Sequence, residues 1–256
     1  MKYLVLIQAR CGSRRLPSKV LKDLAGRTVL ERVVERVRRS REIDDIVVVT
    51  SVDKNNLPLI ELCAQTDTRI FVGSEEDVLD RYYQCARLFQ PEYVIRITAD
   101  CPVIDWRYID LAIEQLKPET DYMSELTETF PDGLDIEIVK FSALKKIWKK
   151  ARMASEREHV TYYIRTHREE FQLQDFVCPI PDISDQRWTI DEEEDYTLIR
   201  RLYEHFASLG KEDFVTEDIL AYLEEKPELR QINQKYERNE GMQISLRNDR
   251  IVEVVE

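Results

Sequence analysis

The first 98 residues alternate short apolar runs with amphipathic stretches, and that alternation leaves few folds open to the chain. Residues 3–8 (Tyr-Leu-Val-Leu-Ile-Gln) form a continuous apolar run of strand length, the pattern of a parallel strand buried on both faces. Val29, Leu30, Val33, Val34 and Val37 then recur at helical spacing between charged residues, and residues 46–50 (Ile-Val-Val-Val-Thr) read as the next buried strand. The pattern predicts a helix at 57–65, a strand at 69–72, a helix at 76–89 and a strand at 93–98. Repeated βα units joined by short connections imply an α/β fold, a doubly wound, mostly parallel sheet with flanking helices. In such sheets ligands sit outside the carboxyl ends of the strands, which singles out the loops at 8–19 and 100–105.

The second half is less regular. A turn, Pro131-Asp132-Gly133, precedes an apolar strand at 134–139, and an amphipathic helix starting at Ser142 uses Leu144, Ile147, Trp148 and Ala151. Ser155 and Glu158 stand at capping-box spacing and predict one helix running through Val160 and Ile164. Asp191 and Glu194 give a similar signal before a helix reaching about Leu209, and another helix is expected at 217–224. In the tail, residues 244–246 and 251–255 flank an Asn-Asp pair and predict a hairpin. No internal repeat or low-complexity linker appears, so residues 1–256 are read as one domain.

Composition excludes some functions. With 256 residues, 43% of them hydrophobic, the chain can bury an ordinary core, and no apolar run approaches the roughly 18 residues of a spanning helix. The opening apolar stretch is too short and too quickly charged for a signal peptide, so a cytosolic protein is expected. A net charge of −12 argues against general attraction to nucleic acid or an anionic membrane, while leaving room for a local basic site. The five cysteines show no metal-ligand spacing and are expected as reduced thiols without a neighbouring base.

That local basic site is the loop Ala9-Arg10-Cys11-Gly12-Ser13-Arg14-Arg15-Leu16-Pro17-Ser18-Lys19. Glycine permits close backbone approach, exposed N–H groups and bidentate arginines suit phosphate oxygens, and lysine adds a compact charge, a combination fitted to a polyphosphate. The GxxxxGK[ST] pattern is absent, which excludes an ordinary P-loop ATPase. Arg10 and Lys19 are the foremost candidates, whereas Arg14 and Arg15 also fit a solvated turn. For Asp100, directly after a strand on the same sheet edge, two readings are open: a magnesium ligand or ordinary turn chemistry before Cys-Pro. Asp191 reads first as a helix N-cap. His159 has Arg157 and Arg187 as companions for an anionic substrate, or sits on a helix surface with a structural hydrogen bond. Trp188 and the tyrosine pairs 82–83 and 162–163 read as packing residues.

The segments IQARCGSRRLPSKVL (7–21), GSEEDVLDRYYQ (73–84), RITADCPVID (96–105), FPDGLDIEI (130–138), SEREHVTYYIR (155–165), RWTIDEEEDY (187–196) and PELRQINQKYERNEG (227–241) together resemble the cytidylyltransferase superfamily of acylneuraminate and CMP-Kdo synthetases, most closely its SpsF-like branch. The resemblance implies a Rossmann-like, GT-A-like nucleotide-diphospho-sugar transferase fold, with residues 1–105 as the nucleotide half, 106–235 as the acceptor half and 236–256 as a tail. It implies a Mg2+-dependent transfer of CMP from CTP to an acidic sugar or phosphorylated acceptor in surface polysaccharide or glycoconjugate synthesis, by a protein that pairs as a homodimer. By the same resemblance Arg10, Gly12, Ser13, Arg15 and Lys19 hold the triphosphate, with Gln8 and Ala9 near base or ribose. Arg10, Lys19 and Asp100 are the catalytic set, Asp100 and Asp191 hold magnesium, and Asp132, Asp135, Glu137, Arg157, His159 and Arg187 line the acceptor pocket. Cys11, Arg14 and Ser18 depart from the branch pattern, and glycine is expected at 18, where a special backbone angle is implied. A glycosyltransferase using a sugar nucleotide, or an idle nucleotide-binding subunit, are the competing readings.

Overall fold

The computed structural model describes residues 1–181 and 183–253. Its first half follows the apolar periodicity closely. Strand β1 (Tyr3–Gln8) leads through a long loop to α1 (Val29–Val37), whose start is closed by a reciprocal box between Thr28 and Glu31. Then come β2 (Asp45–Ser51), α2 (Leu57–Gln65), β3 (Ile70–Gly73), α3 (Val78–Phe89), β4 (Tyr93–Thr98) and α4 (Trp106–Gln115).

The continuous apolar run of β1 has a direct cause. Tyr3, Val5 and Ile7 enter one apolar cluster with α1, α4 and later helices, while Leu4 and Leu6 enter a second cluster on the opposite face with α3. A strand covered on both faces has no solvent side on which to place polar residues.

The second half adds β5 (Tyr122–Ser124), β6 (Glu137–Lys140), α5 (Phe141–Lys150), α6 (Ala154–Glu158), α7 (Tyr162–Thr166) and β7 (Leu173–Asp175). It ends with α8 (Glu193–Ser208), α9 (Thr216–Glu225), α10 (Pro227–Arg230) and α11 (Glu240–Arg247). The seven strands form one sheet in the order β3, β2, β1, β4, β6, β5, β7. Pairings are parallel from β3 through β4 and between β5 and β7, while β6 runs antiparallel to both of its neighbours. The sheet is therefore mostly parallel, as expected, with β6 as its antiparallel strand. No described helix is long and apolar enough to cross a membrane.

Three local expectations are corrected. The single helix expected from Ser155 is two short ones, because Val160 takes a left-handed backbone (φ 49°) between α6 and α7. The Glu156 carboxylate, not that of Glu158, accepts from the Arg152 and Met153 N–H groups, and Ser155 instead donates to Asp249. At α8 the cap box belongs to Glu192 and Asp195, the latter accepting from the Asp191 and Glu192 N–H groups, so Asp191 is not the cap. Finally, residues 244–246 lie in α11 instead of a hairpin strand, and residues 254–255 of that expected hairpin lie outside the described residues. Ile251 does make one isolated antiparallel bridge, to Met153.

Candidate functional site

β1 and β4 are parallel neighbours with Gln8 opposite Thr98, so the loops that follow them leave the sheet side by side. Ala99 N–H donates to the Gln8 carbonyl at 2.9 Å and begins the junction. The basic loop is folded back on itself by Ser18 N–H donating to the Cys11 carbonyl at 3.1 Å, and Cys11 N–H is tied to Asn56 Oδ1 at 2.8 Å. Ser18 makes the reversal in the left-handed region (φ 53°, ψ 28°), the angle for which glycine was expected. Lys19 then opens a single 3-10 turn, Lys19–Leu21, and its side chain points toward β4.

There the Lys19 ammonium meets three acceptors: Asp100 Oδ2 at 2.7 Å, Asp191 Oδ1 at 2.8 Å and the Ile190 carbonyl at 2.8 Å. Three donors on one compact cation are thus all used, although the partners lie 81 to 172 residues away in sequence. Burial opposes the charge on Lys19, but the two carboxylates more than offset it and hold its pKa above the ordinary value. Asp100 is the mirror case. Burial raises its pKa, the adjacent ammonium lowers it, and the net result is about 2, so both groups are ionised near neutrality.

Asp191 is delivered to this point by backbone pairing. Ile190 N–H donates to the Asp100 carbonyl at 2.8 Å, and the preceding segment is stitched to the 131–134 turn by an isolated parallel bridge between Asp132 and Arg187. Gly133 allows that approach: its φ is +112°, and a Cβ there would stand 2.6 Å from the Thr189 nitrogen and the Trp188 carbonyl carbon. Arg187 spans the junction, donating to Asp132 at 2.6 Å, to both Asp195 oxygens at 3.0 Å and to Asp191 at 3.4 Å. Burial, followed by the nearness of Asp135, pushes the Asp132 carboxyl up to about 7 against the pull of Arg187.

Two adjoining cavities open from this edge. The larger, about 1070 Å³, is lined by Gln8, Arg10, Gly12, Ser13, Arg15 and Lys19, together with Asp100 and Asp191. The second, about 360 Å³, holds Asp132, Asp135, Glu137 and His159, and shares Gln8, Arg10, Arg15, Asp100 and Asp191 with the first. A Cβ on Gly12 would meet no atom within 4 Å, so nothing in the fold itself demands glycine there. The loop cations differ in commitment. Arg15 pairs with Asp191 (3.2 Å), Glu192 (3.1 Å) and Glu240 (2.8 Å), whereas Arg10 has no ion pair or hydrogen bond among the described residues.

Some expected site residues stand elsewhere. The Ala9 side chain is in the core and lines neither cavity. Arg157 is buried and grips Asp77 and the Trp148 carbonyl, so its role here is to fasten α6 to α3 and it does not face the acceptor cavity. Arg187 is likewise consumed by internal carboxylates and lines neither cavity. Cys101 borders the second cavity with its thiol 3.6 Å from Asp100 Oδ1, and burial, followed by the nearness of that carboxylate, pushes its pKa well up and keeps it protonated.

Sequence reasoning missed Arg96, Arg165 and Arg238, all of which line the second cavity. Arg96 carried a signal, since it is the one charge inside the apolar run of β4. It also missed the tail. Arg238 donates to Glu125 at 2.6 Å and Asp135 at 2.7 Å, Ser245 to Glu158 at 2.8 Å, and Gly241, Ile244, Asn248 and Arg250 wall the larger cavity.

The parallel half of the sheet, with a basic loop, a buried lysine and two aspartates converging at its carboxyl edge, defines a nucleotide-handling α/β protein. The comparisons narrow this. A family model described as cytidylyltransferase matches residues 4–242, and the chain belongs to that family. It is 34% identical to the spore coat polysaccharide biosynthesis protein SpsF of Bacillus subtilis, over 88% of this chain and 95% of that protein. It is 37% identical to an uncharacterized protein of Methanocaldococcus jannaschii, over 91% of this chain and 95% of the relative. Among solved structures, a cytidylyltransferase from Leptospira borgpetersenii superposes with a TM-score of 0.85 at 29% identity, covering 93% of this chain and all 100% of that one. A CMP:2-keto-3-deoxy-manno-octonic acid synthetase complexed with CTP shares the fold at a TM-score of 0.64 and 14% identity, over 80% of this chain and 99% of that one.

Proposed function

We propose that this cytidylyltransferase moves CMP from CTP onto an acidic sugar or phosphorylated small acceptor, releasing pyrophosphate, in the synthesis of a surface polysaccharide or glycoconjugate. The observation that carries the reading is the Lys19 ammonium held between Asp100 and Asp191 in a cavity that also receives the uncommitted Arg10. The relationship to SpsF of Bacillus subtilis, a protein named for spore coat polysaccharide biosynthesis, supports the biological setting.

In this reading an acceptor oxygen in the second cavity attacks the α-phosphorus of CTP lying in the first, and the bond to the pyrophosphate oxygen breaks. Arg10 and Arg15 hold phosphate oxygens, and Lys19 neutralises charge as it gathers on the leaving pyrophosphate. The donor set fits a magnesium ion: Asp100 and Asp191 offer hard carboxylate oxygens, and Mg2+ is commonly held by one or two carboxylates plus substrate phosphates. Bound there, the ion would supply further positive charge to the triphosphate. An acceptor that is already ionised needs no base.

The test is pyrophosphate release measured with four nucleoside triphosphates against nulosonic acids, aminosugars, phosphorylated polyols and phosphorylated amino acids. The expected result is turnover with CTP and one acidic class, dependent on Mg2+ and lost in Asp100→Asn. CTP binding without turnover on any acceptor would favour an idle subunit. Preference for a nucleotide diphosphate sugar over CTP would favour a glycosyltransferase.

A further inference from the structure

The tail brings one cation, Arg250, to the wall of the larger cavity, and the fold fixes the backbone that carries it. Asp249 accepts from the Ser155 N–H at 2.9 Å and from the Ser155 hydroxyl at 2.6 Å. Ala154 N–H donates to the Arg250 carbonyl and Val252 N–H to the Arg152 carbonyl, both at 2.8 Å, on either side of the Met153–Ile251 bridge. α6 is itself fastened to α3 through Arg157 and Asp77. Terminal segments that are not tied down are ordinarily loose, so this pairing sets the point from which the Arg250 side chain leaves the chain.

The guanidinium is uncommitted. Arg250 and Arg14, like Arg10, make no ion pair or side-chain hydrogen bond among the described residues. All three line both the larger cavity and a neighbouring one of about 610 Å³ beside the start of α3. Cations and carboxylates balance in number around the larger cavity, but not in pairing. Asp100 and Asp191 are taken by Lys19 and Arg15, Asp53 accepts from Asn55, and Glu158 accepts from Ser245. Glu75 is exposed and pairs with no arginine among the described residues. Guanidiniums gathered round one space repel each other, and a polyanion entering it relieves that repulsion.

Arg14 stands where the chain departs from the branch pattern, and Arg250 lies beyond residues 4–242, the stretch that the family model matches. Resting on the CTP-dependent reading above, we propose that Arg14 and Arg250 form a clamp on the terminal phosphates of the nucleotide, one arm from the basic loop and the other from the tail. Planar, permanently charged guanidiniums donate in pairs to phosphate oxygens. Position selects the phosphates. The α-phosphorus must face the acceptor in the second cavity, and neither Arg14 nor Arg250 lines that cavity. The phosphates farther from the acceptor, which leave as pyrophosphate, are the ones within the clamp.

The experiment titrates the full-length protein in Mg2+ with inorganic pyrophosphate and, separately, with CMP, followed by calorimetry. Arg14→Gln and Arg250→Gln should each bind pyrophosphate about tenfold more weakly or worse, the scale of hydrogen bonds to a charged group. Their CMP affinity should stay within about twofold, a split that loss of stability does not produce. Both side chains are exposed and bond to nothing described, so both variants are expected to fold with an unchanged Tm. Arg41, exposed on the loop that enters β2 at the opposite end of the sheet, is the control, and Arg41→Gln should bind pyrophosphate like the parent. The clamp is overturned if pyrophosphate does not bind the parent, if either cavity variant binds it like the parent, if CMP weakens equally, or if Arg41→Gln shows the same loss. Pyrophosphate carries no base, so the two readings fail separately. Weakened pyrophosphate binding in both cavity variants without any preference for CTP would leave the clamp standing and remove the cytidylyl reading. Turnover of CTP with pyrophosphate binding indifferent to both variants would do the reverse.

Discussion

Glu240 Oε2 lies 2.8 Å from Arg15 Nη1, so the C-terminal helix places a carboxylate on a guanidinium of the basic loop. A triphosphate must compete for that arginine. Both side chains are substantially exposed, and such pairs are worth roughly 0.2–1 kcal/mol. Glu240→Gln is therefore expected to lower the KM for CTP by about 1.4- to fivefold at low ionic strength, with the difference shrinking as salt screens the pair. A KM that rises or stays fixed in steady-state pyrophosphate assays would show that Glu240 supports nucleotide binding instead of opposing it.

Lys19 offers a sharper case. Its three acceptors surround a compact ammonium at 2.7–2.8 Å, a geometry that a planar guanidinium cannot reproduce. Lys19→Met should cut kcat/KM by about 100-fold or more, the scale for removing a preorganised charge from a developing anion. Lys19→Arg should fail to restore it. Activity within a few fold of the parent in either variant would remove Lys19 from the reaction.

What the sequence disclosed follows from which interactions are local. β1 and β4 could be bounded from apolar periodicity because burial on both faces is written residue by residue into the chain. The approach of Lys19 to Asp100 was foreseeable only in outline, from strands that end on the same edge. By contrast, the cap spacing at Ser155 misled because Glu156 had a better-placed pair of N–H groups and Asp249, 94 residues away, claimed Ser155. Arg157 and Arg187 looked like anion binders because charge is visible in a sequence and its internal partners, Asp77 and Asp195, are not. The tail's helix was hidden for a related reason: α11 buries no residue, and the polar bonds to Arg15 and Glu158 that hold it in place join residues far apart in the chain.

Ser18 provides a test of backbone strain. It occupies the left-handed region at φ 53°, where a non-glycine residue loses about 1–2 kcal/mol. Glycine relieves that strain but costs about 0.5–1 kcal/mol more in chain entropy on folding. Ser18→Gly should therefore be stabilising by about 0.5–1 kcal/mol, read as a higher urea midpoint with an unchanged slope. A lower midpoint would mean that the Ser18 side chain contributes more than its backbone angle costs.

Gly133 should behave in the opposite way. A methyl group there meets the Trp188 and Thr189 backbone at 2.6 Å, and φ +112° is itself unfavourable for alanine. Gly133→Ala is expected to cost about 2–4 kcal/mol, combining backbone strain with overpacking. Activity should fall with it, because the same turn fixes Asp132 against Arg187 and so the approach of Asp191. Thermal unfolding and pyrophosphate release measured on one preparation would separate the two effects, and an unchanged Tm would contradict the close approach.

Acid sensitivity should divide between two buried carboxyls with opposite shifts. Burial raises the Glu137 pKa, but Arg96 and Arg165 outweigh it and bring the value from 4.5 down to about 2. The unfolded chain thus binds more protons than the folded one between those limits, so this contribution to stability is complete above about pH 4.5 and is lost as pH falls toward 2. Asp132 has the reverse sign. Its pKa rises from 3.8 to about 7, the folded state binds the extra proton, and stability declines as pH climbs between those values. In urea unfolding followed from pH 2 to 8, Glu137→Gln should be less stable at neutrality and flatter on the acid limb. Asp132→Asn should lose the decline between pH 4 and 7 while keeping the acid limb. Curves parallel to the parent for both variants would mean that neither carboxyl's ionisation is coupled to folding.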